Sequence, residues 1–478
     1  MDNAVFKACA FYNPDRNTWT NYKYWFGEKQ NPENPEEEPT YLVPKVTLPT
    51  GGFAYNSFYD NIGCPPEVGG YKIDAFLPRT DRQIYNTYFR NQALENPLEV
   101  NTGDEDDDPT QNMDLRKVCK PRDYFTQGLP TQSGTTPVEI PLGSEAPIVD
   151  AGGAYAKQVQ YYDENGEGFE PAANRPLYAN TEGKLVYRDG TVSGTNSGYL
   201  YESLKADLTQ AMGAPLEGLY QAIAYNTFQY MTSRGGNRYF EHISNIYGVA
   251  NPDGVLQQPE FLGSTTQMID FDTVVQTSST ENQDTPLGTR GANGYMQDYS
   301  GLINKSFGEF GWIIIYGFVT HYPKYQQGVS KLMQTKDPLE LFNPLFNLMG
   351  DEAIYRSEIY VQDDEVVNEE GTPVNDEVFA YGKRNSRLIY PINEIHGEQR
   401  SSYTQSLDTN HFGEYYEEMP TLNKEFDKIS DASFKRALQI TDEVQFIGNA
   451  LITGTMDAEI PLNAIPSPIP QQLISNNA

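Results

Sequence analysis

What most restricts the fold of this chain is the length of its connections. Segments able to form strands are short, and loops of roughly 15 residues or more separate several of them. Structureless connections that long are uncommon inside a compact monomer, because ordering them costs entropy and their backbone polar groups need partners. They become reasonable when the loops of one subunit pack against neighbouring copies.

Residues 6–12 (FKACAFY) are aromatic-rich and end at Asn13-Pro14, a turn signal. Residues 137–142 (PVEIPL) alternate apolar and polar like a short strand. Residues 271–277 (FDTVVQT) and 312–320 (WIIIYGFVT) are β-branched and aromatic, which predicts two further strands. Helical spacing occurs twice. It runs over 81–90 through Ile84 and Tyr88, and over 216–247 through Leu216, Leu219, Tyr220 and Ile223, then Phe240, Ile243, Ile246 and Tyr247. Gly235-Gly236 is expected to divide the second region. Residues 151–205 carry Gly, Asn, Tyr and acids with no sustained period, and read as a surface insertion within a single 1–478 subunit. Asn165-Gly166 and Asp189-Gly190 are dipeptides favoured in two-residue hairpin turns, and residues 185–187 form a plausible strand entering the second. Residues 420–478, with the proline-rich 461–470, read as an extended C-terminal region.

Charge excludes some functions. Across 478 residues, 34 Lys and Arg face 66 Asp and Glu, a net charge of −32. That balance opposes simple nucleic-acid binding, which rests on a basic face that displaces counterions from phosphates. Hydrophobic residues at 38% and aromatics at 13% supply a core and argue against global disorder. The longest apolar run, 312–319, is strand-sized and far short of the ~20 residues that span a bilayer, so no membrane insertion is expected. No basic segment followed by an apolar run opens the chain, and Cys9, Cys64 and Cys119 are too few for a disulfide framework or a four-ligand zinc cluster. Folding in a cytoplasm is the expectation.

No catalytic chemistry emerges. His242, His321, His396 and His411 lack partners at metal-ligand spacing and read as structural or surface residues. Nucleophile-elbow, phosphate-loop and dinucleotide-loop motifs are missing. Asp104, Asp106 and Asp108 imitate the start of a calcium loop, but Pro109 stands where glycine is needed, so 103–109 reads as a solvated acidic loop. No catalytic, metal-binding or cofactor-binding residue is assigned, and none to DNA contact. The 34 tyrosines fit extensive subunit interfaces, and equally a sugar-binding surface. The residues alone describe an acidic, mostly β, loop-rich oligomer. A β-sandwich carbohydrate-binding protein or glycoside-acting enzyme is the main alternative. A bacterial surface or structural protein is another, against which the missing leader counts.

Several segments go further. Residues 120–130 (KPRDYFTQGLP) with 137–143 (PVEIPLG) resemble a stretch of the major capsid proteins of the Microviridae, small single-stranded DNA bacteriophages, the gokushovirus-like branch above all. Further pieces follow in that family's order: Arg90-Asn91-Gln92, residues 247–263 (YGVANPDGVLQQPEFLG), 274–279 (VVQTSS) and Thr285-Pro286-Leu287-Gly288. Next come 307–311 (FGEFG), the Tyr325-Gln326-Gln327-Gly328 turn, and 376–381 (DEVFAY) with Arg384, Arg387 and Tyr390. Two departures stand out. Met1 lies almost at the strand of residues 6–12, where the family carries a further N-terminal segment, and little matches after about residue 420. The resemblance implies an all-β viral jelly roll of two antiparallel sheets with long inserted loops and a few helices. It implies a T=1 icosahedral homo-oligomer around a circular single-stranded DNA genome, assembled in the bacterial host cytoplasm and found in the virion. Its implied partners are further copies of the chain, the packaged DNA, a small basic DNA-associated protein, a pilot protein and the bacterial host surface. The insertion at 151–205 corresponds to a protrusion associated with host attachment. No cofactor or enzymatic activity is implied.

Overall fold

The computed structural model describes residues 2–30, 33, 39–132, 257–275, 277, 290–346, 350–438 and 446–455, together with separate strands and helices between 148 and 248. Strands are β1 (Ala4–Pro14), β2 (Lys45–Thr47), β3 (Lys72–Asp74), β4 (Ile148–Asp150), β5 (Tyr161–Tyr162), β6 (Gly168–Phe169), β7 (Leu177–Ala179), β8 (Leu185–Tyr187), β9 (Gly198–Leu200), β10 (Leu204–Ala206), β11 (Glu260–Val275), β12 (Arg290–Tyr295), β13 (Gly311–Thr320), β14 (Asp351–Tyr355) and β15 (Val378–Lys383). The helices used below are α1 (Asp15–Thr18), α2 (Tyr22–Trp25), α3 (Phe58–Asn61), α4 (Phe76–Ile84), α5 (Leu216–Gly235) and α6 (Tyr239–Tyr247).

The principal sheet is antiparallel, in the order β12-β11-β1-β13. The N-terminal strand β1 is its centre, paired with β11 on one side and β13 on the other. Its sequence explains the position, since it is apolar at nearly every residue and buried along most of its length. Asn13 and Pro14, expected to turn the chain, are still in the ladder opposite Trp312 and Gly311, and the turn comes with α1. The strand expected over 271–277 is the distal part of a 16-residue strand whose first ten residues follow β1 and whose last six pair with β12. The segment at 312–320 is β13. The strand expected at 137–142 lies outside the described residues.

Within 151–205 the short strands join in one antiparallel sheet, ordered β6-β5-β9-β8-β7. The expected strand at 185–187 is β8, and the Asn165-Gly166 and Asp189-Gly190 turns lie outside the described residues. The helical region 216–247 resolves into α5 and α6, divided at the two glycines. In the 420–478 region, Lys424–Asp427 and Asp431–Leu438 are helical, residues 446–455 are irregular, and 456–478 lie outside the described residues. No described helix is long and apolar enough to cross a membrane. The described chain is thus β-rich and antiparallel, with several helices.

Burial falls into three modest clusters. Val46, Leu48, Phe53, Phe58 and Tyr59 pack under α3. Ala4, Ile269, Phe412, Ile429 and Phe434 close one face of the principal sheet. Tyr124, Phe125, Tyr325, Ile354, Ile359, Phe379 and Phe426 gather five distant segments.

A polar staple ties the first cluster to the sheet. Arg79 on α4 is fully buried and uses every N–H it has. Its Nε and Nη2 donate to Asp107 Oδ1 at 3.1 and 2.7 Å. The remaining donors go to the carbonyls of Thr18, Gly103 and Glu105 at 2.9–3.0 Å. Arg82, one turn on, donates to the other oxygen of Asp107 and to Gln111. Asp107 itself donates its backbone N–H to Lys45 O at 2.9 Å. The 103–109 segment is therefore only partly the solvated acidic loop expected. Asp104, Asp106 and Asp108 are exposed, whereas Asp107 turns inward between two guanidinium groups.

Removing one member of a buried ion cluster leaves uncompensated charge, a loss of about 3–5 kcal/mol. We expect Asp107→Ala, which strands both arginines, to lower the urea midpoint of the subunit far more than Asp104→Ala. Equal midpoints would show that the cluster does not hold the fold.

Candidate functional site

The motif-bearing segments, dispersed in sequence, converge in space. Asp123 accepts hydrogen bonds from the backbone of Phe125 and Thr126 at 3.0 and 2.8 Å, which closes the 120–130 turn. Its other oxygen accepts from the Tyr325 hydroxyl at 2.6 Å. Tyr124 donates to Glu358 at 2.8 Å. Leu129 and Tyr381 exchange backbone hydrogen bonds of 2.8 Å each, joining 120–130 to β15. The two glutamines after Tyr325 are spent on backbone, Gln326 on Glu414 O at 2.9 Å and Gln327 on Tyr416 O at 2.7 Å. Burial raises the Tyr325 and Tyr124 hydroxyls and also raises Glu358, and each is hydrogen-bonded inside the knot.

Other motif residues make a second knot. Glu95 receives the Tyr85 hydroxyl at 2.9 Å and the ammonium groups of Lys424 and Lys428 at 2.9 and 3.1 Å. Burial works against the charged form, but these donors together hold Glu95 below its ordinary range. Asn91 reaches Asp427 at 3.2 Å, and Arg90 donates to Glu95 O at 2.7 Å. Arg387 pairs with Glu394 at 2.9 Å. These segments serve architecture.

The histidines do likewise. His321 is buried against Phe412, with rings 5.6 Å apart, and bonds Ser433 at 3.0 Å. Burial depresses its pKa, which disfavours the charged imidazolium. His411 accepts from Gly413 N–H and bonds Gln399 O at 2.7 Å. His396 is exposed, and His242 packs on Phe228. Among the described residues no group of His, Cys, Asp or Glu is arranged to hold a metal ion. The cleft beside Tyr325, Gln326 and Arg387 encloses about 20 Å³, room for a water molecule and far too small for a sugar.

The outside of the subunit is unusual. Among the described residues, more large apolar side chains are exposed than are buried. Several lie close together in sequence. Met333 and Leu345 are 82% and 83% exposed, with Leu332, Leu341 and Phe342 beside them in sequence. Ile447 and Leu451 are about nine-tenths exposed. Trp25, Phe26 and Phe310 make an aromatic apron, the two phenylalanines stacked 5.8 Å apart. Apolar surface on this scale marks protein–protein contact rather than a free monomer.

A tightly tied interior with an apolar exterior is what a subunit made to contact other proteins presents. Comparison with known proteins makes this specific. The chain matches the family described as capsid protein (F protein) over residues 1–467. It is 32% identical over 447 residues to the capsid protein VP1 of Bdellovibrio phage phiMH2K, covering 92% of this chain and 80% of that protein. It is 29% identical to the capsid protein VP1 of Spiroplasma virus 4, with 92% and 80% covered, and 28% identical to that of Chlamydia phage 1, with 98% and 87% covered. The chain belongs to this capsid protein family of Microviridae phages. Its role is structural, as a major capsid component of a virion, and the sugar-active alternative falls away with that assignment.

Two outcomes follow from the site. A Cβ on Gly328 would sit 1.9 Å from the carbonyl oxygen of Glu358, backbone that cannot swing aside. Gly328→Ala is expected to cost about 2–4 kcal/mol and to abolish soluble subunit, whereas Gly301→Ala, which meets nothing, is silent. Matching yields of the two variants would refute the packing argument.

The second outcome concerns Asp15 at the apron. Burial raises its carboxyl to about 6, only partly offset by the Tyr22 hydroxyl at 3.4 Å. Below about pH 4 the group is protonated whether folded or unfolded, so it has no effect there. As pH rises through 6, the folded protein must hold a charge it disfavours, and stability falls. Asp15→Asn should therefore stabilise the subunit by about 1–2 kcal/mol at pH 7, after allowance for solvent screening, and by nothing at pH 4. A pH-independent difference in thermal midpoint would contradict this cause.

Proposed function

We propose that this chain is the major coat subunit of a small gokushovirus-like phage, closing as a T=1 icosahedral shell around circular single-stranded DNA. The observation that carries the reading is the exposed apolar exterior of a subunit whose family builds capsids. Such tracts need covering, and further copies of the chain are the partner always present. The antiparallel four-stranded sheet with long connections is compatible with one half of a viral jelly roll, 1–478 forming one subunit.

Three extensions belong to the same proposal. The small sheet within 151–205 is a surface protrusion, on the argument that a separate sheet inserted in a long connection is a common place for binding function, and it contacts the bacterial host. Residues 446–455 contact a neighbouring subunit, since Ile447, Leu451 and Ile452 are exposed here. A small basic protein accompanies the genome, because the basic residues Arg79, Arg82, Lys120 and Lys428 are consumed by buried ion pairs and a charge of −32 repels phosphates. A pilot protein joins the particle, which assembles in the host cytoplasm.

Negative-stain microscopy of the expressed full chain is expected to reveal hollow particles of uniform size. A population of monomers, with no closed shells at any protein concentration, would overturn the proposal. Replacing 155–200 by a short Gly-Ser bridge should leave shells intact and reduce phage adsorption to the host. Unchanged adsorption would remove the attachment role, and loss of the folded subunit would show that the segment is no insertion.

A further inference from the structure

We propose that Asp15 is a proton-operated catch. With its carboxyl protonated, the joint between β1 and α1 stays shut and the aromatic apron is held in place, whereas ionisation loosens α1 and α2 from the loop at Phe310. The catch lies within one subunit and does not depend on the shell.

Asp15 is the first residue after β1 and opens α1. Its backbone fastens the joint on both sides. The N–H donates to Phe310 O at 3.1 Å, and the carbonyl accepts from Trp19 N–H at 3.2 Å and from the Thr18 hydroxyl at 2.8 Å. The apron hangs from these bonds. Trp19 is fully buried, 6.2 Å from the Trp25 ring and 6.1 Å from Phe76. Phe26 lies 5.0 Å from both Tyr22 and Trp25 and stacks on Phe310.

The side chain is far less well served. Asp15 is only 8% exposed, yet among the described residues its Oδ1 has no hydrogen-bond partner. Oδ2 has the Tyr22 hydroxyl at 3.4 Å, close to the limit of a hydrogen bond. A buried carboxylate ordinarily collects several donors or a cation. The cations around this joint are committed elsewhere, Arg16 to Glu309, Lys45 to Asp74, and Arg79 to Asp107 and three carbonyls. The remaining titratable groups that face it carry no positive charge. They are Tyr12 on β1, Tyr22 on α2, Asp74 on β3, Glu309 beside Phe310, and Asp104, which accepts from Trp19 Nε1 at 2.6 Å.

A neutral carboxyl suits this setting, since it is not repelled by Asp74 and its O–H can donate. An ionised one only accepts, and finds its donors in water. It reaches water if α1 shifts, which opens the bonds to Phe310 and Trp19 together. Burial first, and then Asp74, raise the carboxyl from 3.8 to about 6, and this sets the pH window. Below about pH 4 the group is protonated whether the joint is shut or open, and favours neither. Between there and 6 the open joint gives up the proton while the shut joint keeps it, so opening becomes easier by a factor of roughly ten to a hundred. Above 6 that bias is complete.

Amide hydrogen exchange of the full-length chain detects such opening even when the open form is rare. From pH 4 to pH 7, after correction for the intrinsic exchange rate, protection over residues 15–26 is expected to fall at least tenfold. The Arg79 amide, bonded to Ala75 O inside α4, should keep its protection. Asp15→Asn, neutral at every pH, should hold residues 15–26 equally protected at both. Tyr22→Phe, which removes the one donor, should deepen the fall and serves as the second variant should Asp15→Asn not fold. Protection that is independent of pH in the wild-type chain, an equal fall in Asp15→Asn, or a shallower fall in Tyr22→Phe would each overturn the catch.

Discussion

The buried carboxylate of Asp107 sets the geometry of the N-terminal third. Two guanidinium groups on consecutive turns of α4 need an anion once they leave water, and among the described residues Asp107 of the acidic loop supplies it to both. Satisfying Arg79 completely also recruits three carbonyls, from Thr18, Gly103 and Glu105, so one side chain fixes α1, α4 and the loop together. Along the same helix Asp81 holds Arg116 and the Tyr316 hydroxyl of β13, and Gln83 holds Asn13 and Asn17. The helix is thus fastened to the central sheet by polar contacts, where a globular enzyme would more often use an apolar stripe.

That arrangement follows from how little apolar material goes inside. Among the described residues three separate clusters replace one large core, with buried ion pairs such as Lys120–Glu414 at 3.0 Å and Lys428–Glu95 at 3.1 Å besides. Buried pairs add little net stability, but they penalise alternative packings in which either partner is left alone. A subunit that keeps its leucines, methionines and phenylalanines for neighbours can be given a definite shape this way before it meets them.

Periodicity made the long elements legible. The FKACAFY, WIIIYGFVT and 216–247 segments are where their spacing places them, because β-branched runs and i, i+3, i+4 patterns are local properties. β1 does end at Asn13-Pro14, though both residues still pair with β13 and the chain turns only at Asp15. Asp107 could not be told from Asp104, Asp106 and Asp108 by any local signal, for its burial depends on Arg79 and Arg82 some 25 to 28 residues away. The family motifs were visible as strings, but their meaning was not. Only in space does the tyrosine of one turn meet the aspartate of another, and the glycine after it lie against a distant carbonyl. The exposed apolar faces were foreshadowed only indirectly, by loops too long for a monomer.

A last constraint links charge to assembly. Copies that each carry −32 repel at long range, yet salt confines that repulsion to about 8 Å at physiological ionic strength. Only charges close to a contact then count against it. The apolar tract at 447–452 carries no carboxylate and α5 only Glu217, whereas 331–346 keeps Asp337 and Glu340 and acids concentrate most at residues 33–38 and 363–370. Segregation of this kind lets association be driven by apolar burial at the contacts while the remaining charge keeps free subunits from clumping indiscriminately. The acidity that argues against direct DNA binding is therefore compatible with a self-associating shell, because what governs a contact is where the carboxylates are absent.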